Sequence, residues 1–192
     1  MSQPVTFTTD RLLLRPFADG DLAPFAALNA DADVRRYYPT RLTREDSDRL
    51  GETLRQKMAE RGWGTWVVQS GESGFCGVVG LSSPDYDTPF TPCVEIGWTL
   101  ARDYWGRGYA TEAARAVLRF AITELGLDEV VSFTTHANQR SRAVMQRLGM
   151  TRDFRGDFDH PLVPLGHPYR PHVLYRLPRA RWALLHAGNS RF

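Results

Sequence analysis

The chain has 192 residues, 42% of them hydrophobic and 24% charged, with a formal net charge of +2 at pH 7. This mixture is typical of a soluble globular protein and excludes the disordered and fibrous classes. Because the basic residues are scattered among acids, the charge also excludes a nucleic-acid-binding surface. The length fits one domain, predicted over residues 1–192 with a core at about 5–185 and a loose tail at 187–192.

Cysteine usage and the apolar runs indicate where the protein resides. Cys76 and Cys93 are the only cysteines and form no CxxC pair, which favours reduced thiols over a disulfide framework or a zinc site. The first residues enter charged sequence without an apolar leader, and no later run has the length of a membrane-spanning helix. We therefore predict a cytoplasmic protein with no membrane partner.

The first third of the sequence predicts a strand followed by two helices. The apolar run at 11–15 is typical of a strand, and the spacing of apolar residues over 22–28 predicts a helix. A second helix is predicted to open at Thr43, with Asp46 three residues later, and to end before Gly62.

The middle of the chain predicts three strands in an antiparallel meander, at 65–69, 75–81 and 94–100. The first two are joined by the polar segment 70–74, a good hairpin connection. The third follows the segment 82–93, which holds three prolines and is too long and irregular for a tight turn.

The remaining segments alternate between helical and strand patterns. In chain order they predict a helix at 110–125, a strand at 130–135, a helix from about Ser141 to Gly149, and strands at 151–155 and 173–177. The element order is then β-α-α-β-β-β-α-β-α-β-β. This order predicts an α/β fold with a mixed central sheet of about seven strands and helices on both faces.

Two glycines lie between the third strand of the meander and the long helix. Gly106 and Gly108 remove side chains that would block close approach to the backbone, and they permit positive φ. Free backbone N–H groups converge at the start of a helix, where its dipole is positive, so this segment predicts an anion site suited to phosphate. Arg102 and Arg107 can add positive charge. A turn with only a structural role is the alternative interpretation.

The spacing around these glycines excludes two common phosphate-binding motifs. A dinucleotide fingerprint would continue with Gly or Ala three residues after Gly108, where Thr111 stands. The Gly-Lys-Ser/Thr sequence of a nucleotide-triphosphate loop does not occur in the chain. A different phosphate-containing ligand is therefore required.

Three segments carry a more specific pattern. In chain order they are 9–16, then 95–98 with 104–113, and 138–150. They resemble the opening strand, the coenzyme-A motif and the second motif of the GNAT acetyltransferase superfamily, in particular its RimJ/RimL-type branch. Trp105 stands where the wider superfamily has Gln or Arg, a substitution usual for this branch. The resemblance covers nearly the whole chain and implies a GNAT-like, largely antiparallel sheet.

The resemblance also implies that acetyl-CoA is the co-substrate and indicates which residues bind it. The stretch from Trp105 to Thr111 would hold the pyrophosphate. Within that stretch the binding residues would be Arg107, Gly108, Tyr109, Ala110 and Thr111, mainly through backbone amides. The strands ending at Leu100 and beginning at Val130 would hold the pantetheine arm, which Asn138 would contact.

Acetyl transfer to an amine requires removal of a proton, because a free amine is protonated at neutral pH. Glu95 lies on the strand before the glycine segment and is the candidate base; a solvent-facing or Arg-paired carboxylate is its alternative role. A strand N–H near Thr99 or Leu100 is the candidate oxyanion donor. Many superfamily members use a helix tyrosine as the acid. Ser141 occupies that region here, as acid, cofactor contact or helix cap.

Histidines offer a further base but no metal site. His136 ends a predicted strand and can accept a proton near neutral pH. His160, His167 and His172 match no standard zinc spacing, so we predict no metal.

By resemblance, the acceptor would enter between the segments 30–42 and 157–172. The first of these contains Arg35 and Tyr38, which can hold an acidic or planar group or can simply pack in a loop. The predicted function is therefore transfer of acetyl to a primary amine, either a protein N-terminus or a small molecule, by an enzyme that is a possible homodimer. The alternative is a non-catalytic sensor of acyl-CoA.

Overall fold

The computed structural model describes residues 4–71 and 74–187. The strands are β1 (Phe7–Thr8), β2 (Leu12–Arg15), β3 (Thr65–Ser70), β4 (Gly74–Ser82), β5 (Glu95–Leu100), β6 (Glu129–Thr135), β7 (Thr151–Asp159) and β8 (Pro171–Pro178). The helices are α1 (Leu22–Ala30), α2 (Arg44–Arg61), α3 (Tyr109–Thr123), α4 (Gln139–Arg147) and α5 (Arg179–His186). Residues 188–192 of the predicted tail and 72–73 of the predicted hairpin connection lie outside the described residues.

The chain divides into two compact units. The first comprises the described residues of Met1–Ser82 and Gly97–Ala116, and the second those of Ser83–Ile96 and Val117–Phe192. The cuts fall inside β5 and inside α3, so each of these elements contributes to both units. The expectation of one domain over the whole chain stays a prediction.

The first unit carries the strand order β1-β2-β3-β4-β5. β1 pairs with β2, β2 with β3 and β3 with β4, each in the antiparallel sense. Leu14, Val67 and Val68 from these strands are fully buried. Phe17 and Phe25 cross edge to face, with ring centres 5.2 Å apart, and together with Val67 they form a core cluster.

Helix α2 shows how local sequence sets the bounds of an element. The Thr43 side chain accepts a hydrogen bond from the Asp46 backbone N–H at 3.1 Å and caps the first turn. The helix ends where the N–H of left-handed Gly62 donates to the Met58 carbonyl at 2.9 Å. Both ends agree with the bounds predicted from the sequence.

The second unit carries the strand order β5-β6-β8-β7. β5 runs parallel to β6, with Glu95 opposite Val131, while β8 is antiparallel to both of its neighbours. Phe90, Val131 and Leu174 form the centre of a buried cluster, against which Phe133 and other apolar side chains pack. The predicted class, a mixed and largely antiparallel sheet with helices, is confirmed, with eight strands in the described residues instead of about seven.

Several details differ from the sequence prediction. The sequence predicted neither β1 nor α5. β1 has only two residues, and α5 buries only one large side chain, Trp182, so neither segment shows a clear hydrophobic period. β7 continues to Asp159 instead of Arg155, across an irregular register against β8. α4 begins at Gln139, two residues before the predicted start at Ser141.

Candidate active site

The glycine segment of the first unit is a tight turn that leads into α3. Gly106 and Gly108 have φ angles of +74° and +81°, which side-chain-bearing residues adopt only with strain. The Glu112 N–H donates to the Gly108 carbonyl at 3.0 Å, so the helical hydrogen bonds begin at Gly108. The N–H groups of the first helical turn precede this bond and have no partner within the helix itself, the arrangement to which an anion can bind.

Trp105 ties this turn to the strand that precedes it. Its indole Nε1 donates to the carbonyl of Leu100 at 2.7 Å. Its backbone N–H donates to the carbonyl of Arg102 at 3.0 Å and closes a short 3-10 turn. The residue that departs from the wider superfamily pattern is therefore a structural clamp between β5 and the turn.

The two arginines expected to add charge have different surroundings. Arg102 forms an ion pair with Asp33, in which Nη1 and Oδ2 are 2.6 Å apart, so an anion at the turn would compete with Asp33 for this guanidinium. Arg107 lies in the turn itself, with its guanidinium 5.7 Å from the ring centre of Tyr104. Arg107 is thus the better placed of the two to meet an anion at the turn.

Arg11 and Glu112 also contact the turn, and the sequence reasoning did not assign either of them. The Arg11 guanidinium donates to the Arg107 carbonyl and to the Glu112 carboxylate. Both residues stand inside the motifs that carried the resemblance. Nothing in their spacing predicted that they pair, because 101 positions separate them.

The end of β5 contacts one of the two predicted acceptor segments. The Tyr38 hydroxyl lies 3.4 Å from the Thr99 hydroxyl, at hydrogen-bonding distance. Arg35 in the same segment donates to the Thr40 carbonyl and lies 3.8 Å from the ring centre of Tyr38. Arg35 therefore holds the conformation of its own loop, in line with the packing role left open for it. The oxyanion role of a strand N–H near Thr99 or Leu100 stays a prediction.

In the second unit, Glu95 is the first residue of β5, on the face of the sheet that carries the cluster around Phe90 and Val131. It is opposite Val131, so its side chain projects to the same face as Val131 and, two residues on, Phe133. Burial raises the pKa of Tyr86, and the Glu95 carboxylate raises it further. Burial and then Glu95 likewise raise the pKa of Cys93 to about 11. Glu95 thus lies near a phenol and a thiol that stay neutral at physiological pH.

Tyr86 and His160 form a hydrogen-bonded pair beside these aromatic rings. The Tyr86 hydroxyl and His160 Nε2 are 3.0 Å apart. The backbone N–H of Leu162 donates to His160 Nδ1 at 3.3 Å, so Nε2 carries the proton of the neutral ring and donates to Tyr86. Burial, followed by the influence of His172 and Arg170, lowers the pKa of His160 to about 4. No motif in the sequence predicted a role for Tyr86.

Asn138 and Ser141 lie at the start of α4, with roles that correct one expectation. Asn138 is the cap: its Oδ1 accepts from the Ser141 backbone N–H at 3.2 Å, and its Nδ2 donates to the Thr134 hydroxyl at 3.0 Å. The alternative of Ser141 as the cap is wrong, because Ser141 lies inside the first turn of the helix. The cofactor contacts expected of Asn138 and Ser141 stay predictions.

An open cleft of about 460 Å³ lies on the second unit. Its lining consists of His136, Asp157, Phe158, Asp159, Pro171, His172 and Val173. Most of these belong to, or adjoin, the second predicted acceptor segment. Both acids have basic partners, since Asp157 pairs with Arg152 and Asp159 with Arg170.

Comparisons with known proteins agree with this fold. Residues 11–151 match the family model described as an acetyltransferase (GNAT) domain. The chain is 32% identical over 154 residues to the Bacillus subtilis protein YkkB, covering 78% of this chain and 87% of that one. It is 38% identical over 127 residues to the Aspergillus fumigatus FsC-acetyl coenzyme A-N(2)-transacetylase, covering 63% of this chain and 52% of that protein.

A solved structure of a GNAT-family acetyltransferase from Bacillus anthracis superimposes with a TM-score of 0.75 at 26% identity, covering 92% of this chain and 99% of that one. The chain therefore belongs to the GNAT acetyltransferase family. It is an acetyl-CoA-dependent acyltransferase. None of the helices in the described ranges 4–71 and 74–187 is both long and apolar enough to span a membrane.

Proposed function

We propose that this enzyme transfers the acetyl group of acetyl-CoA to a primary amine, either a protein N-terminus or an amine on a small molecule. The observation that carries the proposal is the turn at Gly106 and Gly108. Both glycines have positive φ angles, and the turn leads directly into the first turn of α3. Such a turn presents backbone N–H groups to a phosphate. The family match makes the pyrophosphate of acetyl-CoA the appropriate anion.

Donor binding in this proposal uses main-chain groups more than side chains. The amides of Arg107, Gly108, Ala110 and Thr111 bind the pyrophosphate, and the charge of Arg107 supports them. Arg102 has a smaller part, because Asp33 already pairs with it. The contact between Asn138 and the pantetheine arm is carried over from the family resemblance.

Glu95 is the proposed base for the acceptor amine. The amine nitrogen attacks the thioester carbon, the C–N bond forms, and the C–S bond breaks as the sulfur leaves with its electron pair. The amine proton passes to Glu95, directly or through water. A backbone N–H near Thr99 or Leu100 stabilises the charge on the carbonyl oxygen. The thiolate leaves unaided or takes a proton from Ser141.

Two features bear on the acceptor. The cleft of about 460 Å³ has the size of a small-molecule site. One relative carries acetyl coenzyme A and an N(2) position in its name, and another is named a putative ribosomal N-acetyltransferase, with 30% identity over 82 residues. Both acceptor classes therefore belong in the test.

The deciding experiment measures thiol release from acetyl-CoA with four groups of acceptors: N-terminal peptides, polyamines, amino acids and aminoglycosides. We expect release with at least one acceptor and a matching acetylated product by mass spectrometry. Gly108→Ala should weaken acetyl-CoA binding, because its φ of +81° is unfavourable for alanine. Tight acetyl-CoA binding without turnover on any acceptor would instead identify a sensor of acyl-CoA.

A further inference from the structure

The side chain of Arg11 spans the glycine turn from the segment between β1 and β2. Its Nη1 donates to the Arg107 carbonyl at 3.0 Å. Its guanidinium lies 4.9 Å from the ring centre of Tyr109. Its Nη2 is 3.4 Å from the point that a Cβ on Gly108 would occupy. Arg11 therefore donates to Arg107 and lies beside the next two residues of the turn.

Glu112 fixes Arg11 in this position. One carboxylate oxygen accepts from Arg11 Nε at 2.7 Å and lies 2.5 Å from Nη2. The other accepts from the Thr9 hydroxyl at 2.6 Å and from the Arg11 backbone N–H at 3.1 Å. Burial alone would raise the pKa of Glu112, but the hydrogen bonds from Thr9 and Arg11 outweigh it and hold this pKa below its ordinary value.

The hydrogen bond to the Arg107 carbonyl sets the direction of the next amide. The Arg107 carbonyl and the Gly108 N–H belong to one planar trans peptide, in which the two groups point in opposite directions. A bond that holds the carbonyl toward Arg11 therefore turns the Gly108 N–H away from Arg11. That N–H is one of the amides assigned to the pyrophosphate in the proposed function.

The charge of Arg11 also removes an electrostatic conflict. Glu112 lies in the first turn of α3, where a carboxylate favours the helix but repels a phosphate bound at the same helix terminus. The ion pair with Arg11 neutralises that carboxylate. An anion at the turn then meets the helix dipole without an opposing charge.

We infer that Arg11 is a positioning residue for the pyrophosphate of acetyl-CoA, which directs the Gly108 N–H and neutralises Glu112. This inference rests on the proposed function, since it concerns the same donor site. The segment between β1 and β2 then takes part in donor binding through Arg11.

The test is Arg11→Lys, which keeps the charge but lacks the planar fork that reaches the carbonyl and the carboxylate together. We expect KM and Kd for acetyl-CoA to rise about tenfold, the size associated with one lost charge-assisted hydrogen bond. kcat at saturating acetyl-CoA should stay within about twofold, because the lost interaction is made equally before and during the reaction. Glu112→Gln, which keeps one acceptor oxygen but loses the charge, should give a smaller rise of about threefold.

Arg15→Lys is the matched control. Arg15 makes a similar forked contact, in which Nη1 and Nη2 donate to the Asp21 carboxylate, but none of its hydrogen bonds reaches the glycine turn. It should lower stability without changing KM for acetyl-CoA. An Arg11→Lys enzyme with parental KM and Kd, or one in which only kcat falls, would overturn the inference.

A measurement without ligand separates this inference from the proposed function. The ¹H–¹⁵N resonance of Gly108 in the free protein reports on its peptide, and it should shift in Arg11→Lys and remain in place in Arg15→Lys. If the parent protein fails to bind acetyl-CoA, the proposed function fails, whatever the resonance does. If the parent binds and Gly108 is unmoved in Arg11→Lys, only the role of Arg11 is refuted.

Discussion

His160 is a histidine whose surroundings keep it neutral. Its ring lies 4.8 Å from that of His172 and 5.0 Å from that of Tyr86, measured between centres. Arg170 adds a positive charge nearby, while Asp159 faces His172 from the neighbouring strand. Protonating His160 would place a cation among half-buried rings and remove the acceptor at Nδ1, so the folded state resists its protonation.

This environment predicts acid sensitivity. The pKa of His160 falls from 6.5 to about 4 on folding, so between these values the unfolded chain binds more protons and stability decreases as the pH falls. We expect this group to remove about 1 kcal/mol between pH 7 and pH 4, since partial exposure screens the effect. Urea unfolding at several pH values should show a shallower decrease for His160→Gln. Parallel curves for variant and parent would contradict the prediction.

The role of Glu95 as general base can be tested with a single substitution. Glu95→Gln should lower kcat about a hundredfold at neutral pH, the range expected on loss of a general base. The defect should shrink as the pH approaches the amine pKa near 10, because the amine then deprotonates without help. Glu129→Gln is the control, a carboxylate that also opens a strand and that forms an ion pair with Arg176. A defect of constant size across the pH profile would remove Glu95 from the mechanism.

At the scale of elements, the approach of β4 to the end of β5 depends on one glycine. Gly77 has a φ of +143°, and a Cβ there would lie 2.3 Å from the Thr99 carbonyl oxygen and 2.7 Å from the Leu100 Cα. Both atoms belong to the backbone, so neither can rotate away. The Ala101 N–H donates to the Cys76 carbonyl at 2.9 Å beside this contact, which shows how closely the two strands lie.

Gly77→Ala should therefore destabilise the protein by about 3 kcal/mol or more, through backbone strain and overpacking. Gly97→Ala in β5 is the control, because its Cβ would meet no atom of the described residues within 4 Å, and it should stay within about 0.5 kcal/mol of the parent. Midpoints of urea denaturation measure both. Equal midpoints for the two variants would show that the strands can separate at low cost.

At the scale of the whole molecule, donor binding should be visible as stability. A ligand that binds only the folded state stabilises it by about 2.7 kcal/mol when present at 100 times its Kd. Acetyl-CoA should therefore raise the thermal midpoint, while pantetheine, which lacks the pyrophosphate, should raise it much less. Differential scanning calorimetry distinguishes the two. An equal effect of both ligands would mean that the glycine turn does not bind the pyrophosphate.

Local signals explain why most elements were predictable. Thr43 sets the start of α2 and Gly62 sets its end, each through a hydrogen bond that spans no more than four residues of the chain. The glycine turn was predictable for the same reason, because the φ angles at Gly106 and Gly108 depend on the residue type at each position. By contrast, α5 buries Trp182 but leaves Leu184 80% exposed, so it lacks the apolar stripe from which a helix is predicted.

The same distinction between local and long-range signals applies to the candidate site. Sequence alone determined the family, and it predicted the glycine turn as the donor site and Glu95 as the base, because motifs record residues at fixed short spacing. The tertiary structure decided that Arg11 reaches Arg107 across 96 positions and that Tyr86 meets His160 across 74. Such pairs depend on strand register and loop packing, which short-range spacing does not encode.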